Sequence, residues 1–209
     1  MRSCVPRWFV VLFCLTTLIG CSEQEDRSDS TPTADPDLNF VNVLRETTSF
    51  DFDPLPSPEA LRSAVDFAGS GHIYSVQSAL IDEPAGPDTG AVVIGVQSEE
   101  VWKTDGAKAD SGVFYFVVRR PTNVSADVFA QSLVDGTRVA LFGDVSTLSF
   151  SEGSPTGVVY SPAPQGLIIE TGAASLGTDN VWGGEVNENY PGWVGATTIE
   201  GIRAALDLE

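Results

Sequence analysis

Short apolar runs rich in valine, isoleucine and aromatic residues dominate the middle of the chain, and such runs are typical of β-strands. Five of them lie at 72–81, 91–102, 113–118, 137–145 and 166–170. The first alternates between apolar and polar residues around Tyr74, Val76 and Leu80. Glycine and proline interrupt the pattern between runs, as at 83–90, and predict loops. The Ser/Gly/Pro-rich stretch 149–164 is predicted to be a loop that holds a short apolar run at 158–160.

Ser57-Pro58-Glu59 has the start signals of a helix: serine as N-cap, proline at the first helical position and an acid in the first turn. Apolar residues then recur at helical spacing in one stripe, formed by Leu61, Ala64, Val65 and Ala68. Gly69 and Gly71 are expected to end this helix.

Two further helices are predicted. Ser125-Ala126-Asp127 starts a short helix over 125–134. Thr197-Thr198-Ile199-Glu200 fits a capping box that opens a last helix, with Ile199, Ile202 and Leu206 facing inward.

The order of these elements is three strands, a short helix and two more strands, which is the order of an OB-fold. Another small β-barrel or a sandwich fits the same order. We expect residues 38–209 to form a mainly β domain, a small antiparallel OB-like β-barrel with short flanking helices.

The first twenty residues have the pattern of an export signal. Arg2 and Arg7 introduce an apolar run of about a dozen residues, too short for a spanning helix, which needs about 20. The run closes on Leu18-Ile19-Gly20-Cys21, which looks like the lipobox of a bacterial lipoprotein. That resemblance implies removal of residues 1–20 and attachment of fatty acids such as palmitate to Cys21. An ordinary secretory peptide with an incidental cysteine is the alternative.

Residues 21–37 are predicted to be a disordered acidic tether, because Ala34 is the one apolar residue after Cys21 and little surface can be buried. The chain holds 11 Lys and Arg residues against 29 Asp and Glu. Loss of Arg2 and Arg7 with the signal leaves 9 basic and 29 acidic residues, a net charge of −20. This charge repels nucleic acid and favours cationic partners.

Cysteine usage bounds the way in which the mature domain is stabilised. Cys4 and Cys14 lie in the signal, so Cys21 is the one mature cysteine. The domain therefore has no intrachain disulfide and depends on its apolar core.

Several strand motifs resemble those of exported OB-like bacterial proteins of unknown function. They lie at Ser70-Gly71-His72-Ile73-Tyr74-Ser75-Val76, Glu99-Glu100-Val101-Trp102-Lys103, the stretch 135–142 and Gln165-Gly166-Leu167. Ser70 and Ser75 stand where those proteins have an aspartate and a central glycine. The resemblance implies the barrel and no particular activity.

Few residues in the sequence are suited to catalysis. His72 is the only histidine, and no Gly-x-Ser-x-Gly elbow is present to support a Ser/His/Asp triad. One histidine without a free cysteine argues against zinc, and neither a P-loop nor a dinucleotide fingerprint is present. We predict no catalytic residue, no cofactor and no metal site.

Calcium bound through oxygen ligands is the open alternative. Acids and asparagines crowd the stretch 178–189: Asp179, Asn180, Glu185, Asn187, Glu188 and Asn189. Asp51 and Asp53 could share a strand face as ligands or as a glycosidase-like pair. Neither set has EF-hand spacing, and glycosidase carboxylates normally come from separated elements, so solvated acids are the simpler interpretation.

Trp182, Tyr190 and Trp193 are the candidate ligand-binding residues. They lie in a stretch rich in Gly, Asn and acids, 171–195, which is predicted to be one long loop. Three large aromatic rings could form a platform for a sugar ring or for an apolar patch of a partner. Alternatively, they pin the loop over an open end of the barrel.

These observations favour a non-catalytic domain at the extracytoplasmic face of the cell membrane, anchored through the lipid on Cys21. Its expected ligand is an envelope protein or glycan, and not nucleic acid. The alternative is a hydrolase of envelope material that uses carboxylates alone and needs two of them to converge in a cleft.

Overall fold

The computed structural model describes residues 41, 44–45, 51–84, 89–105, 112–120, 125, 137–170, 178–182 and 190–208. Its elements in chain order are α1 (Pro58–Ala64), β1 (Phe67–Ile81), β2 (Thr89–Thr104), β3 (Val113–Arg119), β4 (Arg138–Val145), β5 (Phe150–Glu152), β6 (Val159–Glu170), β7 (Thr178–Asn180), a 3-10 turn (Pro191–Trp193) and α2 (Ile199–Ala205). The prediction of a mainly β domain is confirmed. The predicted signal, the tether and the 125–134 helix beyond Ser125 lie outside the described residues.

Five strands pair in a closed circuit. β1 is antiparallel to β2 and β4, β2 is antiparallel to β3, and β4 is antiparallel to β6. The circuit closes through a parallel pair between β3 and β6, in which Tyr115 lies opposite Val159 and Phe116 opposite Tyr160. β5 pairs with the end of β1, and β7 pairs with β6.

Alternate residues of the paired strands form the largest buried cluster, which we call the interior cluster. Its members on β2 and β3 are Val92, Ile94, Val96, Phe114, Phe116 and Val118. Phe67 of β1 stacks on Tyr160 of β6 with the ring centroids 4.3 Å apart. Because strand side chains alternate between the two faces, the residues between these point to the outer face of the sheet.

The glycines expected to end the first helix lie within β1 instead. Helix α1 ends at Ala64, and Val65 is already extended. The pairing of β1 with β2 shifts next to Gly69 and Gly71, where a Cβ atom on Gly71 would overlap the carbonyl oxygen of Gln97. Glycine is needed here because the two backbones approach closely at β-bulges, which bend the strand.

The two short helices pack on the outer side of β1, β4 and β6. The Ser57 Oγ accepts a hydrogen bond from Ala60 N at 3.1 Å, as expected of the predicted N-cap. Helix α2 is capped by Thr198, whose Oγ1 accepts from Gly201 N at 2.9 Å, one residue later than the capping box predicted. Residues of the helices and sheet meet in a second cluster that includes Leu61, Val65, Ala68, Phe142, Trp193, Ile199, Ile202 and Leu206. Ala64 of the predicted stripe is exposed.

Residues 159–160 of the predicted 149–164 loop and the run 166–170 belong to one strand, β6, and not to a loop followed by a separate strand. Proline cannot donate a hydrogen bond to a neighbouring strand. Pro162 and Pro164 therefore argue against a continuous strand in the sequence. Pro162 lies opposite Gly143, where the register between β4 and β6 shifts, so the missing donor falls at an irregular point of the ladder. The predicted long loop 171–195 likewise contains β7 and the turn Pro191–Trp193.

A third, smaller cluster covers part of the outer face of β1, β2 and β3. Its buried residues are Ala79, Ile81, Ala91, Val93 and Val117. Leu148 and Phe150, from the segment between β4 and β6, and Val159, the first residue of β6, pack over them. The same face continues beyond this cover towards Tyr74, which is exposed to solvent.

Candidate functional site

Two tyrosines lie side by side on the uncovered part of the outer face. Tyr115 of β3 and Ser75 of β1 both lie opposite Gly95 of β2. The register of β1 with β2 shifts between Ile73 and Ser75, which makes Tyr74 the additional residue of a bulge. Bulges redirect side chains in this way, and Tyr74 comes to lie beside Tyr115.

Gly95 provides the space for this contact. A Cβ atom there would overlap Ser75 Oγ and would lie 2.7 Å from Cε1 of the Tyr74 ring. The ring therefore crosses the glycine, and the Tyr74 hydroxyl donates a hydrogen bond to the Tyr115 hydroxyl at 3.0 Å. Tyr74 is 46% exposed, whereas Tyr115 is partly buried against the third cluster, so most of the exposed ring surface belongs to Tyr74.

Two polar side chains border the tyrosines. The hydroxyl of Thr156 hydrogen-bonds Tyr115. Gln97 is exposed on the same face of β2 as Gly95, and its Nε2 donates to the carbonyl oxygen of Gly112 at 2.8 Å. We call the surface formed by Tyr74, Gln97, Tyr115 and Thr156 the tyrosine shelf.

The shelf residues are uncharged at neutral pH. The hydrogen bond shared with Tyr74 raises the pKa of Tyr115, and burial and the charge of an ionised Tyr74 act in the same direction. The hydrogen bond from Thr156 opposes this rise. The shelf therefore offers neutral hydroxyl and amide groups that can donate and accept hydrogen bonds.

His72 lies next to the shelf, opposite Gln97 in the pairing of β1 with β2. Its Nε2 is 3.1 Å from Glu99 Oε1, and its side chain is 42% exposed. The Glu99 carboxylate also accepts from Arg138 Nε at 2.9 Å. His72 is thus a partly exposed histidine in contact with a carboxylate that also binds Arg138.

A second polar site is centred on Arg138 at the start of β4. Its Nη1 donates to Glu170 Oε1 of β6 at 3.0 Å and to Glu200 Oε1 of α2 at 2.5 Å. With the bond to Glu99 of β2, one guanidinium joins three strands and a helix. An adjoining cavity of about 200 Å³ is lined by Ser70, Glu99, Glu100, Arg138, Ile199, Glu200 and Arg203.

The electrostatics of this site indicate a structural role. Burial lowers the pKa of Arg138, but the hydrogen bonds that it donates to Glu200 and Glu99 and the charges of Glu170 and Glu99 outweigh burial and raise the pKa overall. The hydrogen bond from Arg138 lowers the pKa of Glu200. Glu100 is 3.0 Å from Arg203 Nε. Together these contacts fix α2 to the sheet.

The structure does not bring the three predicted aromatic residues to one platform. Trp193 is 1% exposed and its Nε1 donates to the carbonyl oxygen of Leu55 at 2.9 Å, so its ring is a packing element. Tyr190 is partly buried in the same cluster, between the helices and the sheet. Trp182 is partly buried against the interior cluster. The packing interpretation holds for Trp193.

The predicted acidic sites find little support in the described residues. Asp51 and Asp53 are exposed in a segment without regular secondary structure, so the expected strand face is wrong. In the calcium candidate 178–189, residues 183–189 lie outside the described part, as does Cys21. Where the chain is described, no three His, Cys, Asp or Glu residues are grouped to hold a metal ion.

The sequence pattern missed the tyrosine shelf because it placed Tyr74 on one face with Val76 and Leu80. The bulge after Ile73 changes the alternation, and Ile73 is buried while Tyr74 is exposed. Gly95 within an apolar strand was the available signal, since a glycine inside a strand often marks the close approach of another group.

Within the described ranges, no helix has the length and apolar character required to cross a membrane. No known protein family and no curated protein matches this chain.

Proposed function

We propose that the chain is a lipoprotein held at the extracytoplasmic face of the cell membrane by fatty acids on Cys21. The support is Leu18-Ile19-Gly20-Cys21 directly after a short apolar run with Arg2 and Arg7 before it. Several acyl chains on one cysteine anchor a protein stably, whereas a single chain binds marginally. Metabolic labelling with a fatty-acid analogue should mark the wild type and leave Cys21→Ser unmarked; label that persists in the variant contradicts the anchor.

The proposed domain is an OB-like β-barrel. The support is the closed pairing circuit of five strands. It closes through a parallel pair between β3 and β6, which are the third and the fifth of these strands in chain order. The 18 residues between Arg119 and Arg138 are enough for the predicted 125–134 helix. OB-folds bind ligands on the outer face of their central strands and on the neighbouring loops, which is where the tyrosine shelf lies.

The proposed activity is binding of an envelope ligand without catalysis. The observation that carries it is the tyrosine shelf, in which a ring that is 46% exposed is held over Gly95 by a hydrogen bond to Tyr115. Aromatic residues with a polar end are enriched among the residues that dominate binding energies. A preorganised ring also loses less conformational entropy when a ligand binds.

The test compares stability and capture in the same variants of the lipidated protein. Tyr74→Ala removes an exposed ring and should leave the melting temperature within about 2 °C of the wild type, since surface changes have small effects. It should abolish capture of ligand from an envelope fraction. Trp182→Ala, which removes a partly buried ring, is the comparison variant and should lower the melting temperature. The amount of ligand captured per folded molecule of this variant should equal that of the wild type. Undiminished capture by Tyr74→Ala contradicts the proposal.

A further inference from the structure

We infer that the ligand of the tyrosine shelf is a neutral saccharide whose ring stacks on Tyr74 while its hydroxyl groups hydrogen-bond Tyr115, Thr156 and Gln97. This inference rests on the proposed binding function and names the chemical class of its ligand. It follows from the shape, the polarity and the charge of the shelf.

The shape suits a flat ligand that remains partly in solvent. Tyr74 and Tyr115 come from strands on either side of β2, and Gly95 contributes no side chain between them. Gly157 lies against the edge of the Tyr115 ring, because a Cβ atom there would be 3.0 Å from Cε2 of that ring. The absence of a side chain at Gly157 therefore leaves this edge of the shelf open. The apolar face of a pyranose ring can lie against such a ring surface, because aromatic faces offer large contact area with a polar group at one end.

The polarity suits a ligand with many hydroxyl groups. The hydroxyls of Tyr74 and Tyr115 are hydrogen-bonded to each other, the Thr156 hydroxyl interacts with Tyr115, and the Gln97 amide lies on the same face. Each hydroxyl can both donate and accept, as the hydroxyl groups of a sugar can. An apolar peptide side chain would leave these groups unpaired, at a cost that disfavours it as a ligand.

The charge argues against anionic and cationic ligands. The whole chain has a formal net charge of −18, which repels phosphate-rich ligands such as nucleic acid. The overall charge attracts cationic ligands, but Glu99, the acid beside the shelf, already contacts His72 and Arg138. A neutral ligand needs neither a basic group nor a further carboxylate at the shelf.

The test is calorimetric titration of the purified lipidated protein in detergent with a tetramer of N-acetylglucosamine. Wild-type protein should bind it, and Tyr74→Ala should weaken binding by about tenfold or more, as truncation of a ring that dominates binding does. Tyr74→Phe keeps the ring and loses the hydroxyl, so it should retain part of the affinity. Val101→Ala, at a residue of β2 that is also 46% exposed, is the matched control and should bind as the wild type does.

Two results overturn the inference and separate it from the proposed function. If Tyr74→Ala binds the tetramer as tightly as the wild type, any saccharide site lies elsewhere. If the wild type binds no saccharide but a photo-reactive group at position 74 cross-links to an envelope protein, the ligand class is wrong and the binding function stands. If neither binding nor cross-linking occurs, both the inference and the proposed function fail.

Discussion

Arg138 donates a hydrogen bond from Nη1 to the carboxylate of Glu170 at 3.0 Å, and the Glu170 side chain is only 8% exposed. A carboxylate so far from water is tolerated because the guanidinium compensates its lost hydration. The same guanidinium binds Glu99 and Glu200, so removing it would leave three neighbouring carboxylates without their shared cation.

We therefore expect Arg138→Met to destabilise the domain by about 2–4 kcal/mol, less than the ~3–5 kcal/mol found when one partner of a fully buried ion pair is removed, because the Arg138 side chain is 23% exposed. Chemical denaturation measures the change in the free energy of unfolding. Arg203→Met is the control, because its pair with Glu100 is more exposed and should contribute at most about 1 kcal/mol. Equal effects of the two substitutions would contradict the central place given to Arg138.

The contact between Glu200 and Arg138 should make part of the free energy of unfolding depend on pH. The pKa of Glu200 is lower in the folded protein than in the unfolded chain, so its contribution is present at neutral pH. That contribution is lost as the pH falls from the ordinary range of glutamate, about 4.3, through the folded pKa. The gap in melting temperature between wild type and Glu200→Gln should be small at neutral pH, because Glu200 is 63% exposed, and should close in acid. A gap that is constant with pH would refute this assignment.

The tyrosine pair should be visible in an alkaline titration followed by the ultraviolet absorbance of phenolate. An ordinary tyrosine loses its proton at a pH of about 10. The raised pKa of Tyr115 predicts that it loses its proton at a higher pH than this. Tyr74→Phe removes the shared hydrogen bond and should move the Tyr115 transition back towards this value. The stability that Tyr115 contributes is present below the unfolded pKa and lost as the pH rises through the folded one. If Tyr74→Phe leaves the titration of Tyr115 unchanged, the two hydroxyls are not coupled.

The close approach of β1 and β2 should make Gly71 intolerant of a side chain. Gly71→Ala forces a methyl group against the carbonyl oxygen of Gln97 and should cost about 1–3 kcal/mol, as overpacking does. Ser78→Ala, at an exposed position of the same strand, should change the unfolding free energy by less than about 0.5 kcal/mol. A neutral Gly71→Ala would mean that the two strands can separate at the bulge without loss.

Much of the strand content could be predicted from the sequence, because the apolar runs at 91–102, 113–118 and 137–145 are rich in β-branched and aromatic residues and much of each is buried. The position of Tyr74 could not, since a bulge depends on how two strands pair and not on either one alone. For the same reason Gly69 and Gly71 resembled a helix end, and only the neighbouring β2 backbone explains them.

In the same way, the features of the site that depend on neighbouring residues could be predicted, and those that depend on distant residues could not. The N-cap at Ser57 and the inward residues of α2 were predictable, because they depend on contacts within a few positions. Arg138 gathers partners from 32, 39 and 62 residues away, so nothing in its immediate sequence identifies it. Trp182, Tyr190 and Trp193 are near one another in sequence, yet packing divides them between two clusters.

The most direct test of the binding surface is photo-cross-linking in living cells from a photo-reactive phenylalanine analogue placed at position 74. The matched control carries the same analogue at position 101, where Val101 is as exposed as Tyr74 but lies outside the shelf. We expect a discrete envelope adduct from position 74 that is missing from position 101. No adduct at position 74, or the same adducts from both positions, would contradict the assignment of the tyrosine shelf as the surface that binds a ligand.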